Sequence, residues 1–177
     1  GLGYGSGETV RADPMRCSYV LTVLLTCGPL LGQGADDCSN PTVLPGEGVF
    51  PFDTTSATTD GAPDAACLQF GTAQIERDVW FSWTAPAAGL ARVETCGATA
   101  VDTRLAAYQG ATCGGPVLAC ADDDCGLQSS LTFACDAGET FLLRLGSYPG
   151  TPGGTGSLDR KSTRLNSSHT VISYAVF

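Results

Sequence analysis

Residues 78–95, DVWFSWTAPAAGLARVET, constrain the fold more than any other stretch of the chain. Val79, Phe81 and Trp83 occupy every second position, which is the period of a β-strand with one apolar face. Trp80 lies on the opposite face and indicates that this face is covered as well. A turn containing proline and glycine follows, and the alternation then resumes up to residue 95. The pattern predicts a β-hairpin with one buried face.

Further short segments with similar alternation follow along the chain, separated by turns rich in glycine and proline. The strand candidates outside residues 78–95 are 48–55, 102–109, 117–120, 129–135, 140–145 and 155–158. Pro51 favours an edge position for the first of them, because proline cannot donate to a neighbouring strand. The sequence therefore predicts an all-β fold, an antiparallel, jelly-roll-like β-sandwich of about eight short strands whose last strand is truncated.

The start of the chain reads as a targeting segment preceded by unrelated sequence. Met15, the only methionine, and an arginine precede an apolar run at residues 17–31, and glycines lie three and one positions before Ala35. This order of charged, apolar and small residues is typical of a secretory signal peptide. We predict a signal peptide at residues 15–34 and untranslated upstream sequence at residues 1–14. A signal anchor is the alternative.

The last nineteen residues, 159–177, differ abruptly from the rest. They contain the only lysine and the only histidine of the chain, Lys161 and His169. The peptide DRKSTRLNSSH, with ISYAVF at its end, resembles the translation of a widely used sequencing adapter. We therefore expect residues 159–177 to be an artefactual tail and residues 35–158 to be the evolved module. A genuine polar tail is the alternative.

The module is strongly acidic. Residues 35–158 contain fifteen acidic side chains and only four arginines, and the whole chain has a net charge of −9. Such a surface repels phosphate backbones and anionic membranes, so nucleic acid is not an expected partner. No membrane span is expected after removal of the signal peptide. The charge is suited to solubility or to the binding of divalent cations.

Seven cysteines follow the signal peptide, and an exported chain is expected to join them in disulfides. The preferred pairs are Cys38–Cys67 and Cys113–Cys120, with Cys96–Cys125 as a weaker third and Cys135 left over. Other connectivities stay open, because spacing alone does not determine pairing.

Residues 35–158 lack the side chains that most catalytic centres need. This segment has no histidine and no lysine, which excludes Ser-His-Asp and Cys-His centres and the usual His/Cys zinc sites. The spacing of Cys113, Cys120 and Cys125 is not that of a zinc ribbon. Carboxylate pairs for glycoside chemistry are available in number, but apolar surroundings single out none of them. We predict that the module is not an enzyme.

The acidic loop ADDDCG is the best candidate site. Asp122 and Asp123 follow a strand, and Asp102 opens the strand candidate 102–109. Calcium takes six to eight oxygen ligands, which carboxylates supply well. We predict calcium at Asp102, Asp122 and Asp123. The alternative is a solvated loop in which aspartates cap turns.

Three aromatic side chains offer a second candidate site. Trp80, Trp83 and Tyr108 would suit a sugar-stacking platform, but in a run such as DVWFSW we expect Trp80 and Trp83 in the core rather than at a binding surface.

The succession TTDGAP, DVWFSWTAPAAG, VETCG, VDTRLAAY, ACADDDCG, QSSLTF and AGETFLLRLG resembles secreted bacterial β-sandwich modules related to the pre-peptidase C-terminal domain. The resemblance covers residues 36–158. It implies a jelly-roll-like sandwich that is non-catalytic and attached to larger extracellular proteins, often hydrolases or adhesins. Cys135 departs from the family pattern, in which a small or apolar residue is expected.

These observations predict a non-catalytic accessory or adhesion module of a larger exported bacterial protein, secreted or held at the cell surface, with calcium as a stabilising ion. Its expected partners are other domains of the same protein and an extracellular polysaccharide or protein. The alternatives are a carbohydrate-binding module and a fragment of a secreted hydrolase whose catalytic domain is missing.

Overall fold

The computed structural model describes residues 33–164, with the side chains of residues 33–163. The upstream segment 1–14, the signal peptide predicted at 15–34 except for its last two residues, and residues 165–177 of the predicted tail lie outside the described part.

Nine β-strands and one short 3-10 turn, Ala65–Cys67, make up the regular structure of residues 33–164. The strands are β1 Thr42–Leu44, β2 Gly48–Asp53, β3 Glu76–Thr84, β4 Gly89–Glu94, β5 Thr103–Gln109, β6 Val117–Asp122, β7 Ser130–Cys135, β8 Thr140–Ser147 and β9 Thr155–Arg164. Within this part of the chain no helix is long enough to cross a membrane.

The strands form two packed sheets, which confirms the predicted β-sandwich. The five-stranded sheet has the order β1-β3-β8-β5-β6, and the four-stranded sheet has the order β2-β9-β4-β7. All pairings between these strands are antiparallel except that of β1 with β3. The strand β2, which contains Pro51, lies at a sheet edge, as the proline predicts.

The hairpin predicted at residues 78–95 is wrong. Its two strands, β3 and β4, lie in opposite sheets: β3 pairs with β1 and β8, whereas β4 pairs with β7 and β9. The two strands differ in their surroundings, because β3 is buried on both faces over Asp78–Phe81 while β4 alternates between buried and exposed positions. The turn between them therefore connects the two sheets instead of joining neighbouring strands of one sheet.

The main core fills the space between the sheets. Trp83 stacks on Phe141 at 5.6 Å between ring centroids and meets Phe133 edge-on at 6.3 Å. The predicted apolar face of β3, Val79, Phe81 and Trp83, is in this core, and so are Phe141, Leu143 and Leu145 at every second position of β8. The alternation in the sequence thus identified the core side of β3.

A second apolar cluster covers the outer face of the five-stranded sheet. It contains Cys38, Cys67, Ile75, Trp80, Ala106, Tyr108 and Leu142. The side chain of Trp80 is buried here, and its indole Nε1 donates to Asp60 Oδ1 at 2.6 Å. Both faces of this sheet are therefore covered, as Trp80 indicated.

The last strand is not truncated at Leu158. Strand β9 runs on to Arg164 and lies between β2 and β4 in the four-stranded sheet. Leu158 is in the main core, and Arg160 is fully buried two positions later. The structure thus includes six residues of the predicted tail in a central strand.

Three disulfides link six of the seven described cysteines. The predicted pairs Cys38–Cys67 and Cys113–Cys120 are wrong, because the structure joins Cys38 to Cys113 and Cys67 to Cys120. Cys120 lies on the outer face of β6, beneath the 3-10 turn that ends at Cys67. The third predicted pair, Cys96–Cys125, is formed, and Cys135 is a free, buried thiol.

Candidate metal centre

Antiparallel pairing of β5 and β6 brings the three predicted calcium ligands together. Asp102 precedes the first residue of β5, and Asp122 is the last residue of β6, opposite Arg104 in the register. One carboxylate oxygen each of Asp102, Asp122 and Asp123 lies within 4.8 Å of the others. The start of one strand and the end of the next thus form a cluster of three carboxylates.

Asp122 is the buried member of this cluster and has an incomplete set of partners. It is 7% exposed, and neither of its carboxylate oxygens accepts a hydrogen bond within the described part of the chain. Oδ2 forms an ion pair with Arg104 Nε at 3.0 Å, which leaves Oδ1 unpartnered. Oδ1 of Asp102 is also buried and has no hydrogen-bond donor among residues 33–163. Leaving such oxygens unsatisfied costs free energy.

The electrostatics of the cluster are unfavourable without a cation. Burial is the largest cause of a pKa of about 6 for Asp122; the Arg104 guanidinium opposes the rise, and the carboxylates of Asp123, Asp102 and Asp124 add to it. Burial also raises the pKa of Asp102, with Asp123 adding to the effect. The centre therefore holds more negative charge than its one arginine neutralises.

Arg104 is held in a fixed position by its other contacts. Its guanidinium donates to the backbone carbonyls of Cys67, Thr72 and Gln74 at 2.8–3.2 Å. It also lies 5.7 Å from the ring centroid of Tyr148. Because these contacts use the other guanidinium nitrogens, Arg104 offers only Nε to the acidic cluster.

The loop after β6 is shaped to present Asp123. This residue is exposed and has a φ of 62°, a left-handed conformation that aspartate tolerates better than most residues. Asp124 stabilises the loop instead, because its Oδ2 accepts a hydrogen bond from the backbone N–H of Ser130 at 3.1 Å. The Cys96–Cys125 bridge ties the same loop to the end of β4.

The donor set fits a hard divalent cation. Three carboxylates supply three to six oxygens, and calcium takes six to eight. The cluster has no nitrogen or sulfur ligand among the described side chains that form it. The chemistry of Asp102, Asp122 and Asp123 is thus that of a calcium site rather than a zinc site.

The three aromatic residues considered for sugar stacking do not form a platform. Trp80, Trp83 and Tyr108 are all buried, with Trp83 between the sheets and the other two on the outer face of the five-stranded sheet. Edges of Trp80 and Tyr108 line an open cleft of about 360 Å³. The nearby Asp60 already accepts from Trp80 Nε1 and from the backbone N–H of Cys38.

Sequence reasoning missed the two buried ion pairs on the outer face of the five-stranded sheet. Arg144 pairs with Asp78, and Arg104 pairs with Asp122. A signal was present in the sequence, because Arg104 directly precedes the apolar run LAAY and Arg144 interrupts the apolar run FLLRL. A charged residue within a strand that is buried on both faces requires a partner.

Searches of known protein families, curated proteins and solved structures find no match for this chain.

Proposed function

We propose that the chain is a non-catalytic accessory or adhesion β-sandwich module of a larger exported protein, stabilised by calcium at Asp102, Asp122 and Asp123. The observation that carries the calcium assignment is the buried Asp122 carboxylate, whose Oδ1 has no partner among the described residues and which has two more carboxylates within 4.8 Å.

Three carboxylates face a single arginine in a partly desolvated place, and neighbouring carboxylates raise the cost of ionising Asp102 and Asp122. A divalent cation provides the missing positive charge and gives the orphaned oxygens of Asp102 and Asp122 a ligand. Folding then includes the free energy of metal binding.

Export and the accessory role rest on other features. Three disulfides support an oxidising environment, where such bonds form and persist. Residues 35–158 contain no histidine or lysine for nucleophilic or general-base catalysis. The proposed partners are neighbouring domains of the same exported protein, at the cell surface or in the medium.

A thermal melt tests the calcium site. The Tm of the full chain is measured in millimolar calcium, in the same concentration of magnesium, and in chelator. A cation present at about 100 times its Kd raises the free energy of unfolding by about 2.7 kcal/mol. We expect a higher Tm in calcium and a smaller effect of magnesium, which demands tighter octahedral geometry.

Matched variants locate the effect. Asp123→Asn removes an exposed ligand and is expected to abolish most of the calcium shift, whereas Asp136→Asn changes an exposed turn residue outside the carboxylate cluster and leaves the shift intact. A Tm that does not respond to calcium in the unsubstituted chain would contradict the calcium site.

A further inference from the structure

The proposed calcium site has coordination positions to spare. Its described side-chain ligands are three carboxylates, and Asp123 is exposed to solvent. A cation bound there lies near the surface. Calcium takes six to eight oxygen ligands, and three carboxylates that bind through one oxygen each do not complete this coordination shell. Oxygen atoms of another molecule can take the remaining positions.

An open cleft lies against the same centre. Its volume is about 510 Å³, within the range of roughly 300–1,000 Å³ typical of small-molecule sites. Asp102 belongs to both features, because its carboxylate is one of the three metal candidates and the residue lines the cleft. A molecule seated in the cleft therefore lies beside a residue of the cation centre.

The lining of this cleft is apolar on several sides. Val101, Leu127 and Pro152 contribute to it, together with backbone of the glycine-containing segment 153–154. Leu127 is 54% exposed at the rim, in a loop that the Cys96–Cys125 bridge holds in place. Such walls accept the C–H face of a sugar ring and offer little to a charged group.

Charge selects between the classes of oxygen ligand. Three carboxylates, the Arg104 guanidinium and a divalent cation sum to zero, and the chain as a whole carries −9. A carboxylated or sulfated ligand would find no excess positive charge here and would be repelled by the acidic surface. A neutral ligand that coordinates through hydroxyl oxygens avoids both penalties.

We propose that this cation centre and the adjoining cleft form a binding site for neutral glycans, which a vicinal diol anchors by filling two open coordination positions. The inference rests on the proposed calcium site. Its supporting observations are the buried Oδ1 atoms of Asp122 and Asp102, which have no hydrogen-bond partner among the described residues, the position of Asp102 in both the cluster and the cleft lining, and the apolar lining of Val101, Leu127 and Pro152.

Affinity chromatography of the full chain tests this proposal. The probes are immobilised mannan, dextran and galactan, each compared with a sample whose vicinal diols have been cleaved by periodate and reduced, and with anionic alginate. We expect retention on at least one intact neutral glycan in calcium, elution by chelator, and loss of retention after periodate treatment.

Two variants separate the cleft from the metal. Leu127→Ser is expected to weaken glycan binding by about tenfold through loss of apolar contact, while leaving the calcium-induced rise in Tm unchanged. Leu118→Ser, at a comparably exposed leucine of β6 outside the cleft, is the matched control and should bind as the unsubstituted chain does.

A calcium-dependent Tm without retention on any intact neutral glycan overturns the glycan site but supports the calcium-stabilised module. Retention that survives chelator or periodate treatment, or retention on alginate alone, also overturns the glycan site. A Tm that ignores calcium overturns both proposals.

Discussion

Arg144 on β8 and Asp78 on β3 form a fully buried ion pair, with Arg144 Nε 2.5 Å from Asp78 Oδ2. The guanidinium also donates to the carbonyls of Gly61, Ala62 and Ile75, and Asp78 accepts from the backbone N–H groups of Asp60 and Gly61. The pair therefore fastens the loop that covers the outer face of the five-stranded sheet.

Loss of this pair is expected to be strongly destabilising. Arg144→Met leaves the Asp78 carboxylate buried without its counter-charge, and breaking a buried pair in this way costs about 3–5 kcal/mol. Urea denaturation followed by tryptophan fluorescence measures the change. Arg92→Met is the matched control, because the Arg92–Glu94 pair is half exposed and such pairs contribute about 0–1 kcal/mol. Equal losses in the two variants would contradict the assignment.

Arg160 is expected to be a destabilising residue at its position in β9. It is fully buried 3.9 Å from the Trp83 ring centroid, burial lowers the pKa of its guanidinium, and its two terminal nitrogens lack hydrogen-bond partners within residues 33–163. Arg160→Leu should raise the free energy of unfolding by about 1–3 kcal/mol, because it replaces a buried charge with an apolar side chain. Denaturant melts measure it.

A matched substitution one residue later controls for that prediction. Lys161 has an exposed side chain that pairs with Glu94 and Asp159, so Lys161→Leu should change stability by less than about 1 kcal/mol. A loss of stability in Arg160→Leu would show that the stacking on Trp83 outweighs the cost of burying the charge.

Disulfide mapping checks the corrected connectivity. Proteolysis without reduction followed by mass spectrometry should yield peptides linking Cys38 to Cys113, Cys67 to Cys120 and Cys96 to Cys125. A double substitution of Cys67 and Cys120 by alanine removes a bridge across 53 residues and should lower stability by roughly 2–5 kcal/mol. Recovery of a peptide linking Cys113 to Cys120 would refute this connectivity.

Without calcium, Asp122 should make the fold less stable as the pH rises. Its pKa is about 6 in the folded chain and 3.8 for an ordinary aspartate, so between these values the unfolded chain loses the proton first. The contribution of this group is fully present below pH 3.8 and disappears as the pH passes 6. At about 1.4 kcal/mol for each pKa unit, the loss reaches about 3 kcal/mol.

Chelator-treated samples melted between pH 4 and pH 7 measure this dependence. Asp122→Asn cannot ionise at this position and should show a flatter profile, whereas Asp136→Asn should keep the steeper one. Identical slopes for all three proteins would mean that Asp122 does not titrate in this range.

The strands were largely predictable because their evidence is local. Alternation at Val79, Phe81 and Trp83 marked the core face of β3, and Pro51 marked an edge. Strand β1 escaped notice because only Leu44 of its three residues is buried, which leaves no pattern to detect.

The pairing of distant segments was not predictable in the same way. A hairpin and a crossing between sheets give the same alternation on either side of a turn, so residues 78–95 did not reveal that β3 and β4 belong to different sheets. The disulfides failed for a related reason. Cys113 and Cys120 are close in sequence, but their partners come from loops that the tertiary fold brings over β5 and β6.

The candidate site was predictable in part. Asp102 and Asp122 could be matched because they stand at the start and end of consecutive strands, where antiparallel pairing brings them together. The part played by Arg104 was not foreseen, because its three carbonyl acceptors come from the loop after the 3-10 turn and from Cys67 itself. Those contacts exist only in the folded chain.

The Cys38–Cys113 bridge has a mechanical consequence. When the chain is pulled at residues 33 and 164, tension entering at Cys38 passes through the sulfur–sulfur bond directly to Cys113. The intervening segment, whose ends are 75 residues apart in sequence, bears no load and cannot be drawn out while the bond is intact. Strands β1 to β5 lie within that shielded loop, so under tension the extensible part of the molecule is confined to the few residues before Cys38 and those after Cys113.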